Sequence, residues 1–278
     1  MASPAADAGR SPLLELGRLN QVPLCAEPYR WAFIDKLFSP INAARLAETF
    51  PKDKVKKVAG SDGEKGYQYF TRSLVQMGAS QASNPEGLSD VWTGLTRDLL
   101  SPAYRQTISR ITGLDLSDAL LEVNVFHYGP DCWLGPHLDL KEKLVTHVLY
   151  FNQAWNRDYG GYLKVLGSSD MDDVVAECLP LAGNSALLVR SDNSWHAVAR
   201  IAEGVQLTRR SINVVFKAPG SVNSMFPSGQ SQELSDYPEQ ATRRSLLAGL
   251  LGRFRRWPTT RAARPSGRSR SLWPFVPK

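Results

Sequence analysis

The sequence contains few of the residues on which disulfide-bonded or membrane-spanning proteins depend. Its three cysteines, Cys25, Cys132 and Cys178, are widely spaced, odd in number and form no Cys-x-x-Cys pair. This pattern argues against a disulfide framework and a cysteine zinc site, and it favours a reducing compartment. No apolar run approaches the roughly 18 residues of a membrane-spanning helix. The start of the chain lacks the apolar segment of a secretory signal, so we expect a cytoplasmic protein.

Acidic residues are absent from the C-terminal end of the chain. Residues 241–278 contain nine Arg, one Lys and no acid, whereas the whole chain carries a net charge of +6. Removing the +10 of this tail leaves −4 for the rest, so the basic character belongs to the tail alone. Its Arg-, Ser- and Pro-rich composition predicts disorder. The tail is consistent with an arm for an anionic surface, a membrane-surface helix or a solubilising extension, and nothing firm indicates nucleic acid.

The hydrophobic pattern divides the chain into three parts. Residues 1–118 predict helices and strands that support a core, with Ser-Pro helix starts at Ser39 and Ser101. Residues 119–217 predict several short strands separated by turns, which is typical of a β-sandwich or barrel. Residues 218–278 predict a linker followed by the basic tail. We therefore expect an α+β protein whose β core is backed by N-terminal helices.

One short stretch, Gly135-Pro136-His137-Leu138-Asp139, contains two potential metal ligands. In an extended strand, side chains two residues apart point to the same face, so His137 and Asp139 converge. Two histidines and one carboxylate that leave other positions open form the metal site of non-haem Fe(II) oxygenases. By itself the tripeptide is also consistent with a loop histidine and a helix-capping aspartate.

A third ligand has to come from elsewhere in the chain, which has only four histidines. His196, within Ser-Trp-His-Ala-Val, is the best candidate. His147 is its main rival, but it lies on the strand face opposite to Tyr150. If Tyr150 and Tyr128 face the cavity, His147 and His127 point away from it and have structural roles.

A basic strand predicted over residues 207–217 places Arg209, Ser211 and Asn213 on one face. If this polar face looks into a barrel, Arg209 is a buried cation that needs an anionic partner. A carboxylate of a bound small molecule suits this role, because a guanidinium binds a carboxylate through two parallel hydrogen bonds. Tyr150 is placed to donate its hydroxyl to the same carboxylate.

Several motifs between residues 121 and 217 occur in a characteristic order. They are Tyr128-Gly129-Pro130, His137-Leu138-Asp139, Val148-Leu149-Tyr150-Phe151-Asn152 with Trp155, Gly160-Gly161-Tyr162-Leu163, Trp195-His196-Ala197-Val198 and Arg209-Arg210-Ser211-Ile212-Asn213. In this order the block resembles the Fe(II)/2-oxoglutarate-dependent dioxygenase superfamily, in particular its prolyl-4-hydroxylase-like branch. The resemblance covers about a third of the chain.

The resemblance implies a double-stranded β-helix, or jelly-roll, fold and a metal centre. His137, Asp139 and His196 would ligate Fe(II), with 2-oxoglutarate and O2 as co-substrates. The implied reaction is hydroxylation of a C–H bond coupled to oxidative decarboxylation of 2-oxoglutarate to succinate and CO2.

The resemblance also implies a binding site for the co-substrate. Arg209 would pair with the distal carboxylate of 2-oxoglutarate, helped by Tyr150, Tyr128 and Ser211. The interval between the last histidine motif and this arginine is longer than in many relatives, which leaves Arg210 as an alternative. Arg209 is favoured over Arg210, because it lies two residues before Ser211 and therefore on the same strand face.

The substrate would be set by segments at the rim of the cavity, and charged residues there suggest a polar small molecule or a natural-product intermediate. The rim segments are predicted at Lys52–Tyr69, Asp131–Leu134, Lys141–Lys143 and Trp155–Tyr159, with Lys52–Gly66 as a mobile surface loop and Trp133 and Trp155 as possible stacking residues. A prolyl-hydroxylase-like peptide hydroxylase and a non-catalytic jelly-roll binding module remain as alternatives. The sequence does not define the oligomeric state.

Overall fold

The computed structural model describes residues 11–62, 65–227 and 233–238, so the predicted basic tail at 241–278 lies outside the described residues. The helices are α1 (Leu16–Leu19), α2 (Pro40–Glu48), α3 (Asp90–Leu100) and α4 (Pro102–Thr112). The strands are β1 (Trp31–Ile34), β2 (Lys56–Asp62), β3 (Lys65–Val75), β4 (Leu120–Tyr128), β5 (Trp133–His137), β6 (Lys143–Tyr150), β7 (Leu163–Leu166), β8 (Val174–Cys178), β9 (Ser185–Val189), β10 (His196–Val198) and β11 (Arg209–Lys217).

All eleven of these strands belong to one antiparallel sheet, in the order β1-β9-β6-β11-β4-β3-β5-β10-β7-β8, with β2 paired to β3. The long strand β3 joins two layers, because its Tyr67 and Gln68 pair with β5 while its residues 70–75 pair with β4. The sheet therefore curls into a nearly closed barrel. The predicted jelly-roll core is confirmed.

The helices back one side of this barrel. The hydroxyl of Ser39 accepts a hydrogen bond from the backbone N–H of Asn42 at the start of α2, and Ser101 accepts one from Tyr104 at the start of α4. Both predicted Ser-Pro helix starts are confirmed. Among the described residues, none of the helices combines the length and hydrophobicity needed to span a bilayer.

The two faces of the central strands have different surroundings. On β11, the even-numbered Ile212, Val214 and Phe216 pack into a buried core with Trp92 and Ile108 of the helices. The odd-numbered residues of β11 point into the barrel, where they line a cavity. The alternation predicted from the sequence is therefore confirmed, and it places the polar face of the strand inside.

The structure corrects the prediction of a mobile loop at Lys52–Gly66. Residues 56–62 form strand β2, which pairs antiparallel with β3 from Lys56 opposite Thr71 to Asp62 opposite Lys65. Among the described residues, β2 lies at an edge and pairs on one side only. Charged residues and glycine are compatible with such an edge strand. Val58 packs against the apolar core but is too isolated to create a periodic signal in the sequence.

The segments after β11, predicted as the start of a linker, contact the barrel. Glu122 accepts hydrogen bonds from the Ser224 hydroxyl at 2.7 Å and the Met225 amide at 3.0 Å. Further on, Ser235 forms a β-bridge with Val55. The three-part division of the chain stays a prediction, although the sheet also takes β1, β2 and β3 from before residue 119.

Candidate metal centre

Two neighbouring strands bring the predicted metal ligands together. β5 and β10 pair antiparallel with His137 opposite His196, and the two ring centroids lie 4.3 Å apart. Asp139 follows β5 by two residues. The potential ligand atoms of these three side chains all lie within 4.8 Å of one another. The structure thus assembles the predicted cluster from the two residues of one short motif and a histidine more than fifty positions later in the sequence.

Hydrogen bonds to the backbone orient both imidazole rings. Nδ1 of His137 lies 2.9 Å from the carbonyl oxygen of Gly135, and Nδ1 of His196 lies 2.9 Å from that of Ser194. A carbonyl can only accept, so each Nδ1 carries the proton and each Nε2 keeps its lone pair. Burial, assisted by repulsion from His196, lowers the pKa of His137 to about 3. Both features are those of a histidine that ligates a metal.

Two side chains donate hydrogen bonds to the Asp139 carboxylate, one to each oxygen. Lys143 Nζ donates to Oδ1 at 2.5 Å and Thr146 Oγ1 donates to Oδ2 at 2.8 Å. Burial alone would raise the pKa of Asp139, but the positive charge and hydrogen bond of Lys143, together with the electrostatic influence of His196 and His137, outweigh it and hold the pKa well below its usual range. Two neutral imidazoles and one ionised carboxylate are a donor set that fits Fe(II) with positions left open.

The predicted co-substrate residues also converge. Arg209 lies opposite Tyr128 on the neighbouring strand, and its guanidinium carbon is 4.8 Å from the ring centroid of Tyr128 and 5.2 Å from that of Tyr150. One guanidinium nitrogen donates to the Ser211 hydroxyl at 2.9 Å. Arg209 is 2% exposed, yet it forms no ion pair with any carboxylate in the described part of the chain.

Two polar atoms at this place, one in the guanidinium itself and one beside it, are unsatisfied. Nε of Arg209 and the hydroxyl of Tyr150 are buried without a hydrogen-bond partner among the described residues. A buried charge without a counter-ion is strongly unfavourable. A bound carboxylate would accept from both groups, so this end of the cavity fits the distal carboxylate of 2-oxoglutarate.

The rival candidates lie outside the cavity. Arg210 extends over the ring of Phe50 and donates to the carbonyl of Ala47 at 3.1 Å. His147 is completely buried, and its Nδ1 lies 2.8 Å from the hydroxyl of Tyr104. His127 Nε2 donates to the carbonyl of Pro51 at 2.8 Å, since a carbonyl can only accept. None of the three belongs to the cluster of metal-ligating side chains.

A single cavity of about 340 Å³ contains both groups of residues. Arg209 and the His-Asp-His cluster line it together with Lys143 and Lys217. Arg209 and Lys217 are buried, whereas the side chain of Lys143 is 25% exposed. Of the described residues in the predicted rim segments, only Tyr69, Leu134 and Lys143 line this cavity. Leu138, Leu140 and residues 223–225 line it as well.

The two tryptophans considered for substrate stacking have other partners. Arg200 covers the ring of Trp133 with its guanidinium 3.8 Å from the ring centroid. Trp155 donates its indole N–H to the carbonyl of Gly160 at 2.9 Å and packs against Tyr159. Neither lines the cavity, so the structure gives them no part in substrate stacking.

Sequence reasoning missed the groups that hold Asp139 in place. Thr146 could have been found, because it shares a strand face with Tyr150 and therefore points into the barrel. Lys143 was placed at the rim, but its contact with Asp139 depends on the turn between β5 and β6, which no sequence pattern specifies. Glu122, Lys217 and the segment that packs on them were missed as well.

Comparison with known proteins agrees with this geometry. Residues 123–217 match the family model of the 2OG-Fe(II) oxygenase superfamily, and no similar sequence was found among curated proteins. The resemblance predicted from the sequence is confirmed over this stretch, and the family uses Fe(II), 2-oxoglutarate and O2.

Similar solved structures include three enzymes of this kind. A prolyl-4-hydroxylase from Pseudomonas putida is 21% identical over 68% of this chain and 92% of that chain, with a TM-score of 0.47. A 2OG-Fe(II) oxygenase family oxidoreductase from Burkholderia pseudomallei is 14% identical over 67% and 84%, with a TM-score of 0.48. A prolyl hydroxylase from Trichoplax adhaerens, in complex with a hypoxia-inducible-factor peptide fragment, is 18% identical over 73% and 86%, with a TM-score of 0.44.

Proposed function

We propose that this protein is an Fe(II)- and 2-oxoglutarate-dependent hydroxylase. In this proposal His137, Asp139 and His196 hold the iron, and Arg209 binds the distal carboxylate of 2-oxoglutarate. The observation that carries it is the buried, uncompensated guanidinium of Arg209 in the same cavity as the His-Asp-His cluster. A metal cluster alone would fit several functions, but its combination with a receptor for a carboxylate supports this co-substrate.

Each side chain has a definable task in this proposal. Nε2 of the two histidines and one oxygen of Asp139 face the metal, while Thr146 holds the other carboxylate oxygen. Tyr150 and Ser211 share the hydrogen bonding of the co-substrate carboxylate with Arg209, and the ring of Tyr128 covers the guanidinium. When bound, iron and 2-oxoglutarate supply the oxidation of a C–H bond by O2 with release of succinate and CO2.

We further propose a small molecule as the substrate and the cytoplasm as the place of action. A cavity of about 340 Å³, which also has to hold 2-oxoglutarate, leaves room for a compact ligand. The cysteines Cys25, Cys132 and Cys178 are all free, which supports a reducing compartment.

The test is an anaerobic titration with Fe(II) and 2-oxoglutarate. The weak visible charge-transfer band of the ternary complex reports binding. The wild type should develop the band only when both are present. His196→Gln should abolish it, whereas His147→Gln, a matched change outside the cavity, should retain it. Far-UV circular dichroism checks that both variants fold. A folded wild-type protein without the band would refute the proposal.

A further inference from the structure

We propose that Lys143 binds a carboxylate of the substrate, so that the enzyme acts on a small organic monoacid with an apolar body. This inference rests on the proposed function and names the substrate class of the same site. It comes from the charged and apolar side chains of the cavity lining that the co-substrate and metal do not account for.

Within the described part of the chain, the charged residues that line the cavity are few and can be assigned one by one. They comprise three cations and two anions, namely Arg209, Lys143, Lys217, Asp139 and Glu122. With Fe(II) and the dianion of 2-oxoglutarate added, the total remains at +1. A loaded site with one positive charge in excess favours a monoanionic ligand, since a buried charge needs a partner.

The excess charge can be located. Lys217 is neutralised by Glu122, with Nζ and Oε2 2.7 Å apart and both side chains buried. Arg209 is assigned to the distal carboxylate of 2-oxoglutarate. The two positive charges of Fe(II) would be neutralised by Asp139 and by the other carboxylate of 2-oxoglutarate. Because Asp139 would then neutralise the iron, Lys143 is the cation left without an anion of its own.

Lys143 is also in the right place for substrate. Its side chain is 25% exposed, whereas that of Lys217 is 4% exposed, so a ligand at the mouth can reach it. Its ammonium lies 2.5 Å from Oδ1 of Asp139. A carboxylate bound there lies next to the metal centre, which would direct oxidation to a carbon close to the acid group.

Apolar side chains make up much of the remaining lining. Leu134, Leu138, Leu140 and Met225 belong to it together with Tyr69, beside polar residues such as Asn223 and Ser224. Leu140 is 52% exposed, which is a large exposure for a leucine beside a cavity that also contains charged groups. These side chains suit a hydrocarbon or aryl group extending from the carboxylate toward the opening. The polar substrate expected from the lysine-rich loop is thereby narrowed to an amphiphilic acid.

The experiment uses the full-length enzyme loaded anaerobically with Fe(II) and 2-oxoglutarate until the charge-transfer band saturates. The probes are a series of straight-chain and phenyl-substituted carboxylic acids, each paired with its primary amide. Binding is followed as a shift of the band and as an increase in melting temperature. At least one acid should bind about 10- to 100-fold more tightly than its amide, the range expected for a charged hydrogen bond.

Lys143→Met should remove this preference for the acid, and Lys141→Met, an exposed lysine outside the cavity lining, should retain it. Both variants are saturated with Fe(II) and 2-oxoglutarate before the probe is added, so a change in metal affinity does not enter. Equal or absent binding of every acid and amide pair overturns the inference, as does an unchanged preference in Lys143→Met. An acid that only lowers the intensity of the charge-transfer band has displaced 2-oxoglutarate, and this result also counts against the inference.

The two proposals fail in different ways. If no band forms before a probe is added, the proposed function is wrong. If the band forms but carboxylates have no advantage that depends on Lys143, the function stands and only the substrate class is wrong.

Discussion

Two buried cations on the same face of β11, Arg209 and Lys217, differ in how their charge is satisfied. Lys217 pairs with Glu122 at 2.7 Å and donates to the carbonyl of Asn223. Arg209, at the other end of the strand, has tyrosine rings and a serine hydroxyl around it and no carboxylate among the described residues. Both side chains are almost completely buried.

The difference separates a structural charge from a functional one. Burial would raise the pKa of Glu122, but the hydrogen bond from Lys217 and those from the following segment keep it below its ordinary value. The ion pair is thus complete within the chain and ties residues 223–225 to the barrel. Arg209 is incomplete until a ligand binds, which is why we assign it to the co-substrate.

The largest change in stability is expected when Lys217 loses its counter-ion, because this cation, unlike Arg209, is neutralised within the chain. Glu122→Ala leaves Lys217 buried without its counter-ion and should lower the free energy of unfolding by about 3–5 kcal/mol. Arg209→Met removes a cation that has no counter-ion, and should leave the free energy of unfolding unchanged or increase it. Urea denaturation without ligands, followed by circular dichroism, measures both. A large loss of stability in Arg209→Met would show that its charge is satisfied by the fold.

His147 can be compared with Arg209, because it is also buried and has an unsatisfied nitrogen, but it lies outside the cavity. Its Nε2 has no partner among the described residues, and burial lowers its pKa to about 3 from the ordinary value of 6.5. The unfolded chain therefore takes up a proton as the pH falls through 6.5, whereas the folded chain stays neutral there until about pH 3. The stability present above pH 6.5 is progressively lost below it.

At about pH 5.5 this histidine alone should lower the free energy of unfolding by about 1.3 kcal/mol relative to pH 7. His147→Asn should reduce the pH dependence by that amount in urea denaturations at the two pH values. An identical pH dependence in the variant would mean that His147 does not remain neutral in the folded state. A neutral ring can stay unpaired at modest cost, whereas the permanent charge of Arg209 requires a ligand.

Those parts of the fold and site that follow from strand alternation were predictable from the sequence. The i, i+2 spacing placed His137 and Asp139 together, and parity separated Arg209 from Arg210 and set His147 apart from the cavity. Each of these depends on a local rule, because side chains alternate along a strand. The order of the motifs then indicated the barrel that joins them.

The features that the sequence did not predict depend on contacts between side chains that no local rule specifies. Lys143 reaches Asp139 across a turn, and Glu122 meets the segment at 223–225 about a hundred residues later. Strand β2 lies at the edge of the sheet, and its isolated Val58 does not create a periodic apolar signal in the sequence. Such features are fixed by tertiary packing, so a polar or charged sequence by itself predicts a loop or a linker.

The most direct test of the central claim compares two 2-oxo acids that differ only at the distal end. 2-Oxopentanoate has a methyl group where 2-oxoglutarate has its distal carboxylate. In anaerobic titrations of the Fe(II)-loaded protein, the charge-transfer band should reach half saturation at an about 100-fold lower concentration of 2-oxoglutarate, a factor within the range for charged hydrogen bonds. Arg209→Met should bind both acids equally, at the affinity of wild type for 2-oxopentanoate. A wild type without this preference, or a variant that keeps it, would contradict the assignment of the buried guanidinium to the co-substrate.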